Sequence, residues 1–397
     1  MKRLLRKEHL SHKHLVLALY IATIFYSLHY ALVLYLGSSY LAQFIDNRLV
    51  GLVFIVSATL TTVVTFQASH LLNIFSNYRV TLFAACGEFV VLLLLAYSNN
   101  VNLSIALFIL QQILTNTIFV SLNISLGEVS KRSESGSVRG VYFTVLNTGI
   151  LMAAFLSGLI FKGSGFYGVY IVSALLLLPV IYIIKKYVHA IEEPYYKDIS
   201  FWASLKSIYK NKDIFDIVMI QFILESFFAV MVVYTTPYLH EVIGIPTASI
   251  LQFIMPIALL PFVIFPYELG LLADERYGEK EFITAGLLIA GLAVLIVPFV
   301  TVTSLFVWAA ILLLTRTGAS FIEAMASTYF YKKVHKDEAG AITLFTVGTR
   351  ALGLIVIPLI ATILFSVLNL PRSSIFVLAG MMLLTGLYFA RKLHDTL

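Results

Sequence analysis

Charge is scarce in this chain. Asp, Glu, Lys and Arg together make up 12% of its 397 residues, hydrophobic residues make up 60%, and the mean hydropathy is +0.93. A soluble domain carries about a quarter charged residues and roughly half apolar ones. The length would allow two or three soluble domains, but there is too little polar surface here to clothe them. Disordered, collagenous and coiled-coil readings fail on the same deficit. Cysteine is nearly absent as well: the single Cys86, inside an apolar run, excludes an intramolecular disulfide framework and a Cys-based zinc site. No phosphate-cradling Gly-rich loop and no Gly-x-Ser-x-Gly loop occurs, so neither ATP-driven pumping nor a hydrolase is indicated. The class that remains is a polytopic membrane protein.

What the chain has in abundance is long apolar runs. A hydrocarbon core of about 30 Å needs roughly 20 apolar residues per helix. That ruler gives twelve spans, at 15–37, 49–69, 80–98, 103–126, 140–161, 167–184, 214–237, 248–268, 282–301, 304–330, 341–365 and 373–390. None alternates as barrel strands do, and all are too uniformly apolar for surface helices, so the chain is predicted to be all-α. A basic head precedes the first span, as in a signal peptide, but the stretch is long and lacks a small-residue cleavage site. It reads as a retained first helix.

With the N-terminus inside, 22 of the 27 Lys and Arg residues fall in cytoplasmic segments. Arg48, Lys162 and Arg372 fall outside, and Arg316 and Arg350 lie within spans. This is the positive-inside pattern, and it places both termini in the cytoplasm of a multi-pass protein of a cell (inner or plasma) membrane. The net charge of +6 is then a matter of topology, with membrane lipid as its partner and no nucleic-acid role.

The longest polar interruption, 185–213, divides the chain into an N-terminal six-helix half at 1–184 and a C-terminal one at 214–397. Within the interruption, 201–212 patterns as a basic interfacial helix. The halves are weakly alike. Tyr35-Leu36-Gly37-Ser38-Ser39-Tyr40-Leu41 aligns with Val233-Tyr234-Thr235-Thr236-Pro237-Tyr238-Leu239, and spans five and eleven begin at Gly140 and Gly340 with a shared Phe-Thr-Val. Internal repeats of this kind build many secondary transporters.

One loop is sharper than the rest: Gly270-Leu271-Leu272-Ala273-Asp274-Glu275-Arg276-Tyr277-Gly278-Glu279-Lys280. It resembles the Gly-x-x-x-Asp-Arg-x-Gly-Arg loop of the major facilitator superfamily, with one extra residue. The equivalent first-half stretch, Ser69 to Arg79, is degenerate, with Ser69 for the Gly and Asn73 for the Asp. The resemblance covers essentially the whole chain and implies two pseudo-symmetric six-helix halves. It also implies a cavity lined by spans 1, 4, 7 and 10, and a latch in which Asp274 meets the start of span five near Arg139. Two signatures are missing: span four has no Arg, and span five has Asn147-Thr148-Gly149 but no Gly-Pro pair, which argues against drug/proton antiport.

Ionisable residues inside a membrane are functional candidates by default. Glu225 and Arg316 fall near midplane on helices expected to face each other. Glu323 lies two turns from Arg316, so Arg350, at matching depth, is its expected partner, as an ion pair or gate. Glu88, in a more peripheral span, is expected to hydrogen-bond a neighbouring helix. His29 sits with Tyr26 and Tyr30 at helical spacing, and Gln112, Asn116 and Gln221 add polar groups to the expected cavity. Pro256, Pro261 and Pro266 predict a kinked eighth span. No metal or cofactor is expected, and His9, His12 and His14 are too loosely spaced for one.

The functional expectation is a monomeric secondary transporter, not an enzyme, that moves a small-molecule substrate by alternating access. Coupling to protons, or another ion, rests on Glu225, Glu323 and His29. A midplane Arg favours an anionic or sugar-like solute. Lipophilic drug efflux, a non-transporting scaffold or sensor with the same fold, and a lipid-modifying membrane enzyme are the alternatives.

Overall fold

A computed structural model describes residues 12–129, 135–191, 205–206, 208–209, 211–334, 342 and 344–394. Half of the expected interfacial helix at 201–212, and Gly340, lie outside them. The apolar runs form helices, and twelve segments follow in order. The N-terminal half contains α1 (His12–Leu34), α2 (Asn47–Phe66), α3 (Asn77–Tyr97) and α4 (Val101–Val129), then α5 and α6. These last two are the arms, 135–164 and 166–187, of the continuous stretch Ser135–Tyr187. The C-terminal half contains α7 (Lys212–Val233), α8 (Thr247–Leu272), α9 (Gly278–Ile296), α10 (Leu305–Lys333), α11 (Leu344–Val367) and α12 (Ser374–Ala390). Among the described residues the fold is therefore the expected all-α membrane architecture of twelve helices.

Local chemistry sets the breaks. Ser135–Tyr187 has 53 residues, about 80 Å at 1.5 Å per residue, far more than one crossing requires. Gly165 divides it with φ 61° and ψ −152°, a backbone region essentially restricted to glycine. Asp46 caps α2 by accepting from the Arg48 N–H at 2.8 Å, and Asn211 caps α7 by accepting from Asp213 N–H at 3.1 Å. The three prolines of α8 break it as expected: a π turn at Ile250–Ile254, a short helix Met255–Leu259, then Pro261–Leu272 with Pro266 inside. Further π turns occur at Tyr238–Val242, Ala273–Tyr277, Leu344–Gly348 and Ile363–Val367.

The two halves repeat one packing plan. In the first, α3 packs on α4, α2 on α4, and α1 on the α5–α6 stretch; in the second, α9 packs on α10, α8 on α10, and α7 on α11 and α12. The aligned repeat has a structural counterpart. α1 breaks just before it and α7 just after its first residue, and short helices restart at Gly37 and Thr235. Tyr40 then packs edge-on to Tyr170 of α6 with ring centroids 4.9 Å apart, and Tyr238 meets Phe376 of α12, also at 4.9 Å. The halves join through α2 against α11 and through α5 against α8.

Lipid offers little hydrophobic drive for helices to associate, so close packing has to supply it. On α3, Phe83, Cys86, Val90, Leu94 and Tyr97 form an exposed lipid-facing strip. Inside, small residues let backbones touch. A Cβ on Gly318 of α10 would lie 2.4 Å from the Ala290 nitrogen of α9, and one on Gly158 of α5 would lie 2.4 Å from the Gln252 nitrogen of α8. The second contact joins the halves at the distal end, where α1 finishes and α2 begins. There a small apolar cluster of Leu41, Val50, Val53, Phe54 and Phe108 takes in Val233 from the other half.

Candidate functional site

The cleft between the halves is built around α11. Gly353 sits against the backbone of Glu225 on α7, where a Cβ would come within 2.9 Å of the Glu225 carbonyl carbon. That approach brings Arg350, one turn earlier, alongside Glu225. The Arg350 Nη2 donates to the Tyr30 hydroxyl at 2.7 Å, and its guanidinium carbon lies 6.0 Å from the Tyr30 ring centroid. Tyr30 belongs to α1, so this bond crosses between the halves, yet Arg350 is exposed. Its open surface therefore faces the inter-half cleft. Half-buried Glu225 accepts from Gln221 Nε2 at 3.1 Å, one turn before it. Half-buried Glu323 of α10 lies within electrostatic reach of both Glu225 and Arg350.

Two expected pairs are not formed. Glu323 and Arg350 make no ion pair among the described residues, because the long Arg350 side chain is drawn to the phenol of the opposite half. Arg316 does not face Glu225 either. It is fully buried, its guanidinium carbon is 5.3 Å from the Phe227 ring centroid, it lies beside the Tyr35 hydroxyl just after α1, and its Nη1 has no hydrogen-bond partner among the described residues. Phe227 is two residues beyond Glu225, and residues two apart do not share a helix face. Arg316 thus sits in the closed layer distal to the cleft charges. Sequence reasoning missed Tyr35 and Phe227 as its neighbours, since neither aromatic stands out among 22 Tyr and 30 Phe.

His29 and Tyr26 turn inward rather than to the cleft. His29 is fully buried; Tyr26 is also buried, donates to the Thr115 carbonyl at 3.1 Å and stacks on Tyr30 with ring centroids 6.1 Å apart. The His29 Nε2 lies 3.3 Å from Glu88 Oε1, and Nδ1 lies 2.8 Å from Ser173 Oγ on α6. Glu88 accepts from Thr115 Oγ1 at 2.5 Å and from Gln111 Nε2 at 3.3 Å, so the expected bond to a neighbouring helix is present. Half-buried Gln112 donates to Gln111 Oε1 at 3.1 Å, and half-buried Asn116 donates to Thr65 Oγ1 of α2 at 2.9 Å. The meeting of His29 with Glu88 was unreadable because it depends on how α1 and α3 are placed. Each residue was visible only as an ionisable group in an apolar run.

At the distal end a cavity of about 280 Å³ lies between the halves, lined in part by Asn47, Arg48, Tyr234 and Arg372. Asn47 Nδ2 donates to Glu241 Oε2 at 2.7 Å, and Arg372 forms an ion pair with the same oxygen. In the loop motif, Gly278 has φ 77° and ψ 166°, and the π turn Ala273–Tyr277 accommodates the extra residue before it. Ser76 at the matching first-half position adopts nearly the same conformation, φ 71° and ψ 149°, and also opens a helix. The degenerate copy has therefore kept the turn without the glycine. Gly270 has open space around it. The side chains of Asp274 and Arg139 lie outside the described residues.

A sequence model described as the Major Facilitator Superfamily matches residues 17–358. No curated protein sequence matches the chain. Among solved structures, an auto-inhibited POT family peptide transporter superposes with a TM-score of 0.75 at 9% identity, covering 96% of this chain and 98% of that one. The nucleoside transporter NupG gives 0.73 at 14% identity, covering 96% and 98%. The POT family transporter PepTSo gives 0.72 at 11%, covering 95% and 98%. At such identities the likeness is one of fold.

Proposed function

Because this chain belongs to the major facilitator superfamily, we propose that it is a secondary transporter, and that it moves a small polar solute by alternating access of the cleft between its halves. The halves at 1–184 and 214–397 rock as two bodies, with 185–213 as a cytoplasmic tether in a cell membrane. One observation carries this reading: Arg350, exposed inside the cleft, bridges to Tyr30 of the other half with Glu225 and Glu323 within its reach. A guanidinium beside neutral donors from Tyr30, Gln112, Asn116 and Gln221 suits an anionic or sugar-like solute. Glu323, which has no hydrogen bond of its own among the described residues, is the coupling carboxylate, with Glu225 beside it. Its proton is exchanged each time the cleft changes sides.

The distal contacts, with Gly158 against Gln252 and Asn47 on Glu241, support a state closed at that end. Asp274 and Arg139 act as a latch at the opposite end in the other state. The test is uptake into proteoliposomes under an imposed pH gradient, with the solute first found by a thermal-shift screen of anions, sugars, amino acids and lipophilic cations. Glu323→Gln should abolish gradient-driven accumulation while preserving exchange of solute for solute, and Arg350→Gln should lose both. Full accumulation in Glu323→Gln would refute the coupling role, and full exchange in Arg350→Gln would refute the solute site.

A further inference from the structure

The N-terminal half buries ionisable groups that the cleft does not use. His29 and Glu88 are both fully buried, in contact through Nε2 and Oε1 at 3.3 Å. Their hydrogen bonds can be assigned in full. Ser173 has one hydroxyl proton, which it donates to the His29 carbonyl at 3.0 Å. Its oxygen must therefore accept from Nδ1–H at 2.8 Å, which fixes the proton on that nitrogen. Thr115 receives a donor from Gln111 at 2.9 Å and gives its own proton to Glu88 Oε1. Among the described residues two atoms are left over: His29 Nε2 has no aligned hydrogen bond and Glu88 Oε2 has none at all.

Both leftover atoms are proton acceptors, and no donor among the described residues satisfies either. With a neutral imidazole and an ionised carboxylate the pair carries one negative charge in a dry pocket, a costly state. One proton removes that charge, either on Nε2, giving an imidazolium–carboxylate pair, or on Oε2, giving a carboxylic acid beside a neutral imidazole. The nearby titratable groups are Tyr26 on α1 and Tyr142 on α5, with Arg350 beyond the Tyr26–Tyr30 stack. From α4 and α6 the pair is faced by the neutral Gln111, Thr115 and Ser173.

We propose that His29 and Glu88 form a one-proton binding site inside the N-terminal half, connected to the cleft through Gln111 and Gln112. The connection is a chain of hydrogen bonds: half-buried Gln112 donates to Gln111, and Gln111 donates to Glu88. A solute that takes the Gln112 amide turns this chain and changes how well Glu88 holds its charge. The site is separate from the carboxylates of the C-terminal half. It stands whether or not Glu323 couples transport.

The ligand is the proton, so the experiment needs no solute. Infrared difference spectra of the purified full-length protein between acid and alkaline pH should contain a band that disappears in Glu88→Gln, a carboxyl C=O band with the proton on Oε2 or a shifted carboxylate band with it on Nε2. That band should titrate at a different midpoint in His29→Gln and in Gln112→Leu. A pH-difference spectrum identical in wild type and in folded Glu88→Gln would overturn the site, and an unmoved midpoint in Gln112→Leu would overturn its link to the cleft. If Glu88→Gln does not fold, wild-type protein carrying ¹⁵N-histidine decides the matter. The signal lost in His29→Gln should report a permanently protonated Nδ1 and an Nε2 whose shift moves with pH, by taking the proton itself or by the change of charge on Glu88 beside it. An Nε2 that never changes would overturn the proposal.

Discussion

The contact between Gly158 and α8 gives a direct handle on alternating access. In Gly158→Ala the new Cβ would lie 2.4 Å from the Gln252 nitrogen, 2.7 Å from its Cβ and 2.8 Å from the Ala248 oxygen. Two of these are backbone atoms, which no rotamer change can move aside. Ordinary contact begins at 3.4 Å, so α5 and α8 must separate by about 1 Å at the distal end. Overpacking of this kind costs about 1–3 kcal/mol. The halves must part here for the distal side to open, so the cost falls only on the closed state. It then becomes a shift of roughly 5- to 150-fold in the population ratio toward distal-open. Spin labels on cysteines at Lys162 and Val302, both exposed, in a Cys86→Ser background, would report the width of the distal mouth by pulsed electron resonance. Gly318→Ala is the control, since its Cβ would clash equally, at 2.4 Å, with α9 of the same half. It should lower the melting temperature without changing the mouth. An unchanged distance distribution in folded Gly158→Ala, or an equal change in both variants, would refute the reasoning.

Three further outcomes are expected. Arg316→Met removes a buried cation with an unsatisfied nitrogen, and replacing buried charges by apolar side chains is often neutral or stabilising. The melting temperature should hold or rise while uptake falls, and unimpaired uptake would make Arg316 purely structural. Gly165→Ala meets no neighbour within 4 Å, so its cost comes from the backbone alone, about 1–3 kcal/mol, read as a lower midpoint in denaturant. Asp274→Asn should move the label distances toward the distal-closed state and slow uptake, and a variant unchanged in both would dispose of the latch.

The fold was legible because the membrane imposes a ruler. Twenty-residue apolar runs and polar breaks such as Asp46-Asn47-Arg48 translate almost directly into α1 to α12, and even the proline-broken α8 was readable. The ionisable residues were also legible as a set, since Glu88, Glu225, Arg316, Glu323 and Arg350 stand out from their apolar surroundings. Their partners were not. Depth along a helix gave the match between Glu323 and Arg350, but contact depends on rotation about the helix axis and on which neutral group lies closer. Tyr30 took Arg350, Phe227 and Tyr35 enclosed Arg316, and His29 turned from the cleft to Glu88. Phenols, hydroxyls and amides decided these pairings, and spacing that marks Tyr30 as a cavity residue does not say which charge it will hold in a chain with 22 tyrosines.

The π turns are distributed unevenly. Those described all fall in the second half, and four of the five lie in, or directly after, α8 and α11, the helices that meet α5 and α2 of the first half. Pro256, Pro261, Pro266 and Pro358 fall on the same two helices. A turn with i→i+5 bonds is wider and less tightly tied than an α turn, and a proline removes one tie altogether. Each sliding contact between the halves therefore pairs a stiff rod from the first half with a pliant one from the second. Rocking strain should gather in the pliant members, leaving the first half, with its enclosed histidine and glutamate, to travel as a nearly undeformed block.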